Sequence, residues 1–235
     1  MGNNKFKQTT HRRGFIGTIA AGAAAFSMAS LAPFRLNAER LGEMAKETDP
    51  ETPDEWFGKI NGKHRIVFDV THPEETMPFA WPRVFLITNE KTGTSAKDCS
   101  VVVVLRHNAI PYAFEDRLWE KYKFGKKFKI NDPTTGAVAV RNPFSKPAKG
   151  DFKLPGIGEV QIGINELQAD GVMFCVCDMA INVQSALIAG DMKMDAAEAK
   201  KDWMTGLLPG IMVVPSGVWA VGRGQEHNCA YCFVG

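Results

Sequence analysis

The body of this 235-residue chain contains no long apolar run and none of the common phosphate-binding or metalloprotease motifs. After residue 38 no stretch approaches the roughly 18 uncharged apolar residues that a membrane-spanning helix needs. There is no Walker-type phosphate loop, no GxGxxG segment after the first predicted strand and no HExxH segment. These absences argue against a stable membrane span in the mature chain. They also argue against the common nucleotide-binding, hydride-transfer and metalloprotease classes.

A strong net charge is missing as well. The chain has 28 Lys and Arg against 26 Asp and Glu, a formal charge of +2. Five of the basic residues and no acidic residue fall within residues 1–38, so the remainder has 28 − 5 = 23 basic against 26 acidic residues, a charge of −3. A mildly acidic body argues against binding to nucleic acid, because that affinity depends on neutralising phosphates. The composition, with 45% hydrophobic and 23% charged residues, fits one globular domain.

The N-terminus has the organisation of an export signal. Arg12 and Arg13 precede a weakly apolar run from Ile16 to about Ala32, and small residues follow. The paired arginines resemble a twin-arginine (Tat) signal, which makes the Tat translocase a predicted partner and the periplasm the predicted location. We expect residues 1–38 to be a signal peptide cleaved after Ala38. The alternative is a membrane anchor, which the polar residues within the run disfavour.

Residues 39–62 are predicted to be an acidic leader or linker, because acidic residues and prolines are frequent there. From residue 63 to residue 235, β-rich runs alternate with helical patterns. The predicted strands are 65–70, 100–105, 171–177, 210–214 and 230–234, and the predicted helices are about 78–90, 111–122, 179–188, 194–206 and 217–226. This alternation predicts a mostly parallel sheet with helices on both faces, a three-layer α/β fold of the flavodoxin-like kind.

A segment near residues 124–160 breaks the alternation. It is rich in lysine, glycine and proline. Residues 127–131 and 137–140 are predicted to pair as a hairpin, with its turn at 132–136. This hairpin-like insertion is compatible with a lid, an oligomer contact or a solvated loop.

Polar residues follow the predicted strands, and they are the candidate site. In an open parallel sheet, ligands bind beyond the carboxyl ends of the strands, so residues that follow different strands can converge on one crevice. The candidates at these positions are His72, His107, Asn108, Cys177, Asp178 and Ser216.

Cys177 is the sharpest candidate, because it ends a buried strand and directly precedes a helix. Backbone N–H groups at a helix start stabilise a thiolate. Cys175 points to the same face of the strand but lies deeper, which favours a packing role. His107 is a candidate base or thiolate partner, provided that it faces Cys177. The alternatives are that Cys177 packs in the core and that His107 forms hydrogen bonds in a loop.

The remaining cysteines do not define a cofactor site. Cys229 and Cys232 have CxxC spacing, but they fall in the last predicted strand, whereas redox motifs of this kind begin a helix. A four-cysteine metal site matches no common zinc spacing, so neither a metal nor another cofactor is predicted. A disulfide is compatible with export, and the sequence leaves open its pairing among Cys99, Cys175, Cys177, Cys229 and Cys232.

The second half of the chain resembles the DsrE/DsrF-like sulfur-relay family. The resemblance is carried by GVMFCVC at 171–177, LPGIMVVPSGV at 208–218, Gln225-Glu226 and Ala230-Tyr231, and residues 101–108 and 118–125 fit the same family. It covers about residues 64–235 and is strongest to Tat-exported members. The resemblance implies a compact α/β fold that assembles into trimers or hexamers. It also implies persulfide sulfur on Cys177 and transfer of that sulfur to partner proteins.

Three hypotheses follow. The leading one is a periplasmic DsrE-like homo-oligomer in which Cys177 carries a thiolate or persulfide, with His107 and Asp178 shaping its pocket and an unidentified protein as sulfur donor or acceptor. The second is a non-catalytic protein that binds a small ligand or metal ion in a crevice at His72, His107 and Ser216. The third is a structural or assembly factor whose cysteines are core residues.

Overall fold

The computed structural model describes residues 51–235. The predicted signal peptide, with Arg12 and Arg13, and residues 39–50 of the predicted leader lie outside the described residues. No helix in the described part of the chain is long and apolar enough to cross a membrane.

Strands and helices alternate over most of the described chain. The strands are β1 His64–Val70, β2 Cys99–Leu105, β3 Lys153–Leu154, β4 Gly158–Glu159, β5 Met173–Cys177, β6 Ile211–Val214 and β7 Ala230–Val234. The helices are α1 Pro53–Phe57, α2 Met77–Lys91, α3 Asp116–Tyr122, α4 Phe124–Lys127, α5 Ile164–Ala169, α6 Asp178–Met192, α7 Ala196–Thr205 and α8 Gly217–Glu226. Two 3₁₀ helices cover Ala96–Asp98 and His107–Ala113.

Five parallel strands form the central sheet in the order β6-β5-β2-β1-β7. β2 is the middle strand, and Ser100 and its apolar residues 101–105 are all buried because helices cover both of its faces. Helices lie on both faces of the sheet, so the predicted three-layer α/β fold is confirmed. From β1 to β6, each strand of this sheet lies next to the one that precedes it in the chain. Only the connection through α8 crosses to the opposite edge, where β7 pairs with β1.

The two faces of the sheet carry cores of different size. The larger core packs helices α2 to α7 against the sheet and is rich in aromatic residues, among them Phe79, Trp119, Tyr122 and Trp203. The smaller core lies on the opposite face, where α1 and α8 pack on residues of β1, β2, β5 and β6. The smaller core contains Cys175, so the side chains in line with Cys175 lie on this face.

The described part of the predicted leader is not an extended linker. Thr52 caps α1, and its hydroxyl and backbone both bond to Glu55 in a capping box. Trp56 and Phe57 are buried in the smaller core, and the ring of Phe57 lies 5.7 Å from that of Trp219. Residues 51–62 therefore belong to the same compact unit as residues 63–235, because α1 contributes apolar side chains to its core.

The helix predicted over residues 111–122 begins later than expected. The chain first forms the 3₁₀ helix that contains Pro111, becomes extended at Phe114 and enters α3 only at Asp116. Phe114 forms an isolated antiparallel bridge with Leu207, and Glu115 donates its N–H to the carbonyl of Gly206. These contacts with a distant segment interrupt the helical pattern.

The insertion contains the predicted hairpin in a shortened form. Asn131 bridges Val138, and the N–H of Ala139 bonds to the carbonyl of Ile130 at 2.9 Å. Lys127, the first residue of the predicted strand, instead ends α4, and β3 and β4 form a second small ribbon. Phe144 and Phe152 are buried and stack at 5.0 Å in the larger core. These two aromatic side chains pack the insertion against the domain.

Candidate functional site

Strand register places Arg106 beside Cys177. β2 and β5 pair in parallel with Val104 opposite Cys175 and Leu105 opposite Val176, so the next residues in the two strands are Arg106 and Cys177. Val104 and Cys175 both lie in the smaller core. Because side chains alternate along a strand, Arg106 and Cys177 lie two residues further on at this same face.

Cys177 is the N-cap of α6. Its backbone is extended (φ −76°, ψ 111°), and its Sγ accepts a hydrogen bond from the N–H of Ala180 at 3.2 Å. The residue is 6% exposed. Serine, threonine, asparagine and aspartate are the residues preferred at such a position. A cysteine here places its sulfur at the start of a 15-residue helix, where the first backbone N–H groups have no partner within the helix.

Arg106 is held by a buried carboxylate. Its Nε and Nη2 donate to the two oxygens of Asp69 at 2.5 and 2.8 Å, and the hydroxyl of Tyr231 donates to Asp69 Oδ2 at 2.8 Å. Asp69 is only 2% exposed. The hydrogen bond to Asp69 raises the pKa of Arg106, and negative charge on Cys177 adds to that effect, so the guanidinium stays charged and within electrostatic range of the sulfur. Asp69, Arg106 and Tyr231 come from three neighbouring strands.

The start of α8 covers Arg106. A Cβ on Gly217 would lie 2.5 Å from the Cβ of Arg106, so only glycine allows this approach. Ser216 is the N-cap of α8, and its Oγ accepts the N–H of Trp219 at 3.1 Å. The predicted binding residue Ser216 therefore has its hydroxyl engaged in a helix cap beside the Arg106 stem.

His72 and His107 are brought together. Their ring centroids are 5.2 Å apart and nearly perpendicular. The hydroxyl of Thr71 donates to the carbonyl of Gly235 at 2.7 Å, and the Nδ1 of His72 lies 2.8 Å from the same hydroxyl oxygen. Because the hydroxyl hydrogen is already used, Nδ1 is the donor to Thr71. When His72 is neutral, its Nε2 consequently carries the lone pair.

His107 has a left-handed backbone, with φ of +52°. Such a conformation is uncommon for a residue other than glycine. Partial burial lowers the pKa of the imidazole, and the neighbouring His72 and Arg106 lower it further. A neutral imidazole is therefore favoured at this position. Within residues 51–235 no hydrogen bond or ring contact joins His107 to Cys177, so their partnership stays a prediction.

Asn108 and Asp178 form contacts with the helices next to them. Asn108 Oδ1 accepts from the Nε2 of Gln184 at 3.3 Å. Asp178 accepts from Asn182 within α6 at 2.9 Å, and its other oxygen lies 2.9 Å from the Nζ of Lys200 on α7. These bonds tie the Asp178 carboxylate to α6 and α7, whereas the sequence prediction placed it in the pocket of Cys177.

The other cysteines differ from Cys177 in their surroundings. Within the described residues all five thiols are free. Burial raises the pKa of each of the remaining four, which are Cys99, Cys175, Cys229 and Cys232. In residues 51–235 no group of three or more His, Cys, Asp and Glu side chains is arranged to hold a metal ion.

Two surface pockets lie away from the strand ends. One is lined by Arg83, Ile87 and residues 159–161. The other lies between Trp119, Lys123, Lys126 and residues 138–140 of the insertion. Neither is lined by a predicted site residue.

Asp69, Arg106 and Tyr231 were not among the residues predicted from sequence. Asp69 alone carried a signal, since it is the one carboxylate within the apolar run of residues 66–70. A buried charge in a strand requires partners. Which residues supply them depends on strand register, and the sequence pattern does not give the register.

Comparisons with known proteins give no functional assignment. No family model matches the chain, and no curated protein matches it. Among solved structures, the chain is similar to a protein of unknown function from Methanobacterium thermoautotrophicum, with 20% sequence identity and a TM-score of 0.34. The match covers 73% of this chain and 100% of that one.

Proposed function

We propose that this protein is a DsrE-like sulfur carrier that bears persulfide sulfur on Cys177. The observation that carries the proposal is the position of the Cys177 sulfur at the start of α6, where it accepts the N–H of Ala180 at 3.2 Å. A sulfur atom in this position is stabilised as a thiolate, and the thiolate is the form of cysteine that attacks a sulfane sulfur atom.

The proposed transfer needs no external oxidant. The thiolate of Cys177 attacks the terminal sulfur of a donor persulfide, the donor S–S bond breaks, and a new S–S bond forms on Cys177. The electron pair of the broken bond leaves with the donor as a thiolate, and the proton of the donor persulfide stays on the transferred sulfur. Transfer to an acceptor repeats this exchange: the acceptor thiolate attacks the outer sulfur of the Cys177 persulfide, and Cys177 leaves as a thiolate.

The other thiols are less suited to the role. Cys175 is 0% exposed, and burial raises the pKa of its thiol. Cys99 begins β2, at the opposite end of the strand from Arg106. Burial raises the pKa of Cys99, and the nearby carboxylate of Asp98 raises it further. Cys177 therefore combines a position at the strand ends with a helix start that favours the charged sulfur.

Loading with glutathione persulfide tests the proposal. The purified protein is treated with this donor and desalted, and a gain of about 32 Da, one sulfur atom, is mapped to a peptide. We expect the gain on Cys177, its loss in C177S and its retention in C99S, a matched variant at the far end of the adjacent strand. Loading that is unchanged in C177S, or absent from the wild type, would overturn the proposal.

The predicted export belongs to the same proposal. The pairing of Arg12 and Arg13 with a diluted apolar run supports Tat-dependent transfer to the periplasm. We expect an R12K/R13K variant to remain in the cytoplasm when cells are fractionated, while a K5R/K7R variant is exported like the wild type. Equal export of both variants would contradict the assignment.

An exposed apolar stripe supports the predicted homo-oligomer. Met179, Val183 and Leu187 recur every four residues along α6 and are 44%, 53% and 62% exposed. Residues with this spacing share one face of a helix. The stripe begins two residues after Cys177, so a second copy that covered it would also border the sulfur site.

We infer a second candidate function, ligand binding without chemistry, from the histidine pair. The rings of His72 and His107 lie 5.2 Å apart, and the pair sits just beyond the ends of β1 and β2. A small ligand or metal ion held there is expected to appear as a reproducible adduct in native mass spectrometry of protein purified from the periplasm. Loss of the adduct in H72A and H107N, but not in C177S, would favour this function over sulfur transfer.

A further inference from the structure

One feature that costs free energy on folding has no part in the proposed sulfur exchange. Asp69 is a buried carboxylate in the middle of a parallel sheet, and its oxygens bond to Arg106 and Tyr231. A buried ion pair contributes little to stability compared with apolar side chains of the same size, because both charges lose their hydration. The presence of such a pair beside a candidate cysteine therefore points to a functional role.

We propose that Arg106 is the charge partner of the sulfur on Cys177, and that Asp69 and Tyr231 are positioning residues that hold Arg106 in place. This inference rests on the proposed function of Cys177 and extends it to three residues that no sequence motif identified. Arg106 would act on the thiolate before transfer and on the persulfide anion after transfer.

The sheet itself makes the two residues neighbours. Neighbouring strands lie about 4.8 Å apart, and the register of β2 and β5 makes Arg106 and Cys177 neighbours at the end of these strands. Both backbones are extended at these residues. Their side chains therefore leave the sheet on the same face, where α8 covers Arg106 and the start of α6 supports Cys177.

Arg106 has N–H donors that its contacts with Asp69 do not use. A guanidinium has five N–H donors, and the contacts with Asp69 use one on Nε and one on Nη2, which leaves three. Arg106 retains 27% exposure of its side chain, whereas Asp69 retains only 3%. The carboxylate thus fixes the orientation of the guanidinium, and three further N–H donors remain for a neighbouring anion.

Two further contacts restrict Arg106. The hydroxyl of Tyr231 donates to the same Oδ2 atom that accepts from Arg106 Nη2, so β7 fixes the carboxylate from the other side. Gly217 packs on the aliphatic stem of Arg106 and leaves it no room to swing toward α8. A side chain held at both its stem and its head keeps its charge at one place, as a preorganised electrostatic site requires.

The pH dependence of alkylation tests the assignment. Cys177 in the purified protein is alkylated with iodoacetamide at a series of pH values, and the modified peptide is quantified. Since the thiolate is the reacting form, loss of the cation in R106Q should move the midpoint of the profile up by about one pH unit. The corresponding rate at neutral pH should fall about tenfold. R106K keeps the charge but not the planar fork, so we expect a fall of about threefold.

Matched controls come from a similar network elsewhere in the fold. Arg117 and Tyr122, both on α3, bond to Asp202 of α7 at 2.6 and 2.7 Å. Y231F is expected to slow alkylation of Cys177 about twofold, by loosening the carboxylate that holds Arg106. Y122F and R117Q should leave the profile at its wild-type position. A folded R106Q protein with a wild-type profile would overturn the proposal.

Removal of Arg106 alone leaves Asp69 buried and unpaired, which can prevent folding. The double variant D69N/R106Q removes both charges and preserves a pair of amides that can bond to each other. Its profile should shift in the same direction as that of R106Q, and a wild-type profile would contradict the assignment. A shifted profile together with no uptake of sulfur from glutathione persulfide would retain Arg106 as a charge partner and reject the proposed carrier function.

Discussion

Gly217 stands so close to Arg106 that a single methyl group between them would displace one of the two. A Cβ on Gly217 would lie 2.5 Å from the Cβ and 2.6 Å from the Cδ of Arg106. Gly222, one and a half turns further along the same helix, has open space around the corresponding position. Gly217 and Gly222 thus provide a contrast between a packed and an unpacked site within α8.

We expect G217A to destabilise the fold by about 2 kcal/mol, because the added carbon forces α8 away from the sheet. G222A should raise stability by up to about 1 kcal/mol, since alanine is favoured over glycine inside a helix. Urea unfolding followed by tryptophan fluorescence measures both. Equal stabilities of the two variants would show that α8 does not pack on the Arg106 stem as described.

The place of α1 in the domain can be tested at Phe57, which is fully buried against Trp219. F57A should lower the free energy of unfolding by about 3 kcal/mol, because it leaves a cavity in the smaller core. K59A, two residues away, removes an exposed ion pair with Glu51 and should change stability by less than about 0.5 kcal/mol. If F57A unfolds like the wild type, residues 51–62 behave as a linker after all.

A third prediction concerns the pH dependence of stability at His107. Its pKa is lowered from the ordinary value of 6.5 by burial, by His72 and by Arg106. The unfolded chain therefore binds a proton at this position more readily than the folded chain, so stability is lost as the pH falls below about 6.5. H107N removes this loss, and asparagine tolerates the left-handed backbone.

The measurement compares the free energy of unfolding at about pH 7.5 and about pH 5.5 in the wild type and in H107N. The variant should lose less stability on acidification than the wild type does. An identical loss in H107N and the wild type would contradict the assigned direction.

Oligomer formation through α6 gives a fourth prediction. L187E places a charge at the most exposed residue of the stripe and should convert the proposed oligomer to a monomer in light scattering coupled to size-exclusion chromatography. V140E changes a 69% exposed valine of the insertion and should leave the assembly intact. Dissociation of V140E but not L187E would move the contact to the insertion, and a monomeric wild type would reject the oligomer.

Much of the fold was predictable because a strand that is buried on both faces has an uninterrupted run of apolar residues. The uninterrupted apolar run of β2 and the apolar run that ends at Cys177 were both identified, and α6 and α7 followed from helical periodicity. The segment around Pro111 was predicted incorrectly as one helix. Its backbone is set by contacts with residues 206–208, which no local pattern contains. α1 was missed because its acidic neighbours suggested a linker, although Trp56 and Phe57 were apolar anchors.

The site was less predictable than the fold. Cys177 could be singled out because a strand end and a helix start are both local features. His72 and His107 were expected to converge, and their rings do meet. The Asp69–Arg106–Tyr231 cluster could not be predicted, because it depends on β7 pairing with β1 at the edge opposite to the preceding strand. Long-range pairing of this kind is decided by topology.

The return of the chain through α8 to β1 also has a consequence for the order of events during synthesis. Tyr231 and Asp69 are 162 positions apart, and Thr71 bonds to Gly235 across 164 positions. A ribosome makes β7 after every other described strand, so a nascent chain exposes one long edge of β1 and lacks the tyrosine partner of its buried carboxylate. The surroundings of Cys177 are consequently completed only when the sheet itself is complete. A chain cut before residue 230 would contain Cys177 but lack Tyr231, which bonds to the carboxylate of Asp69.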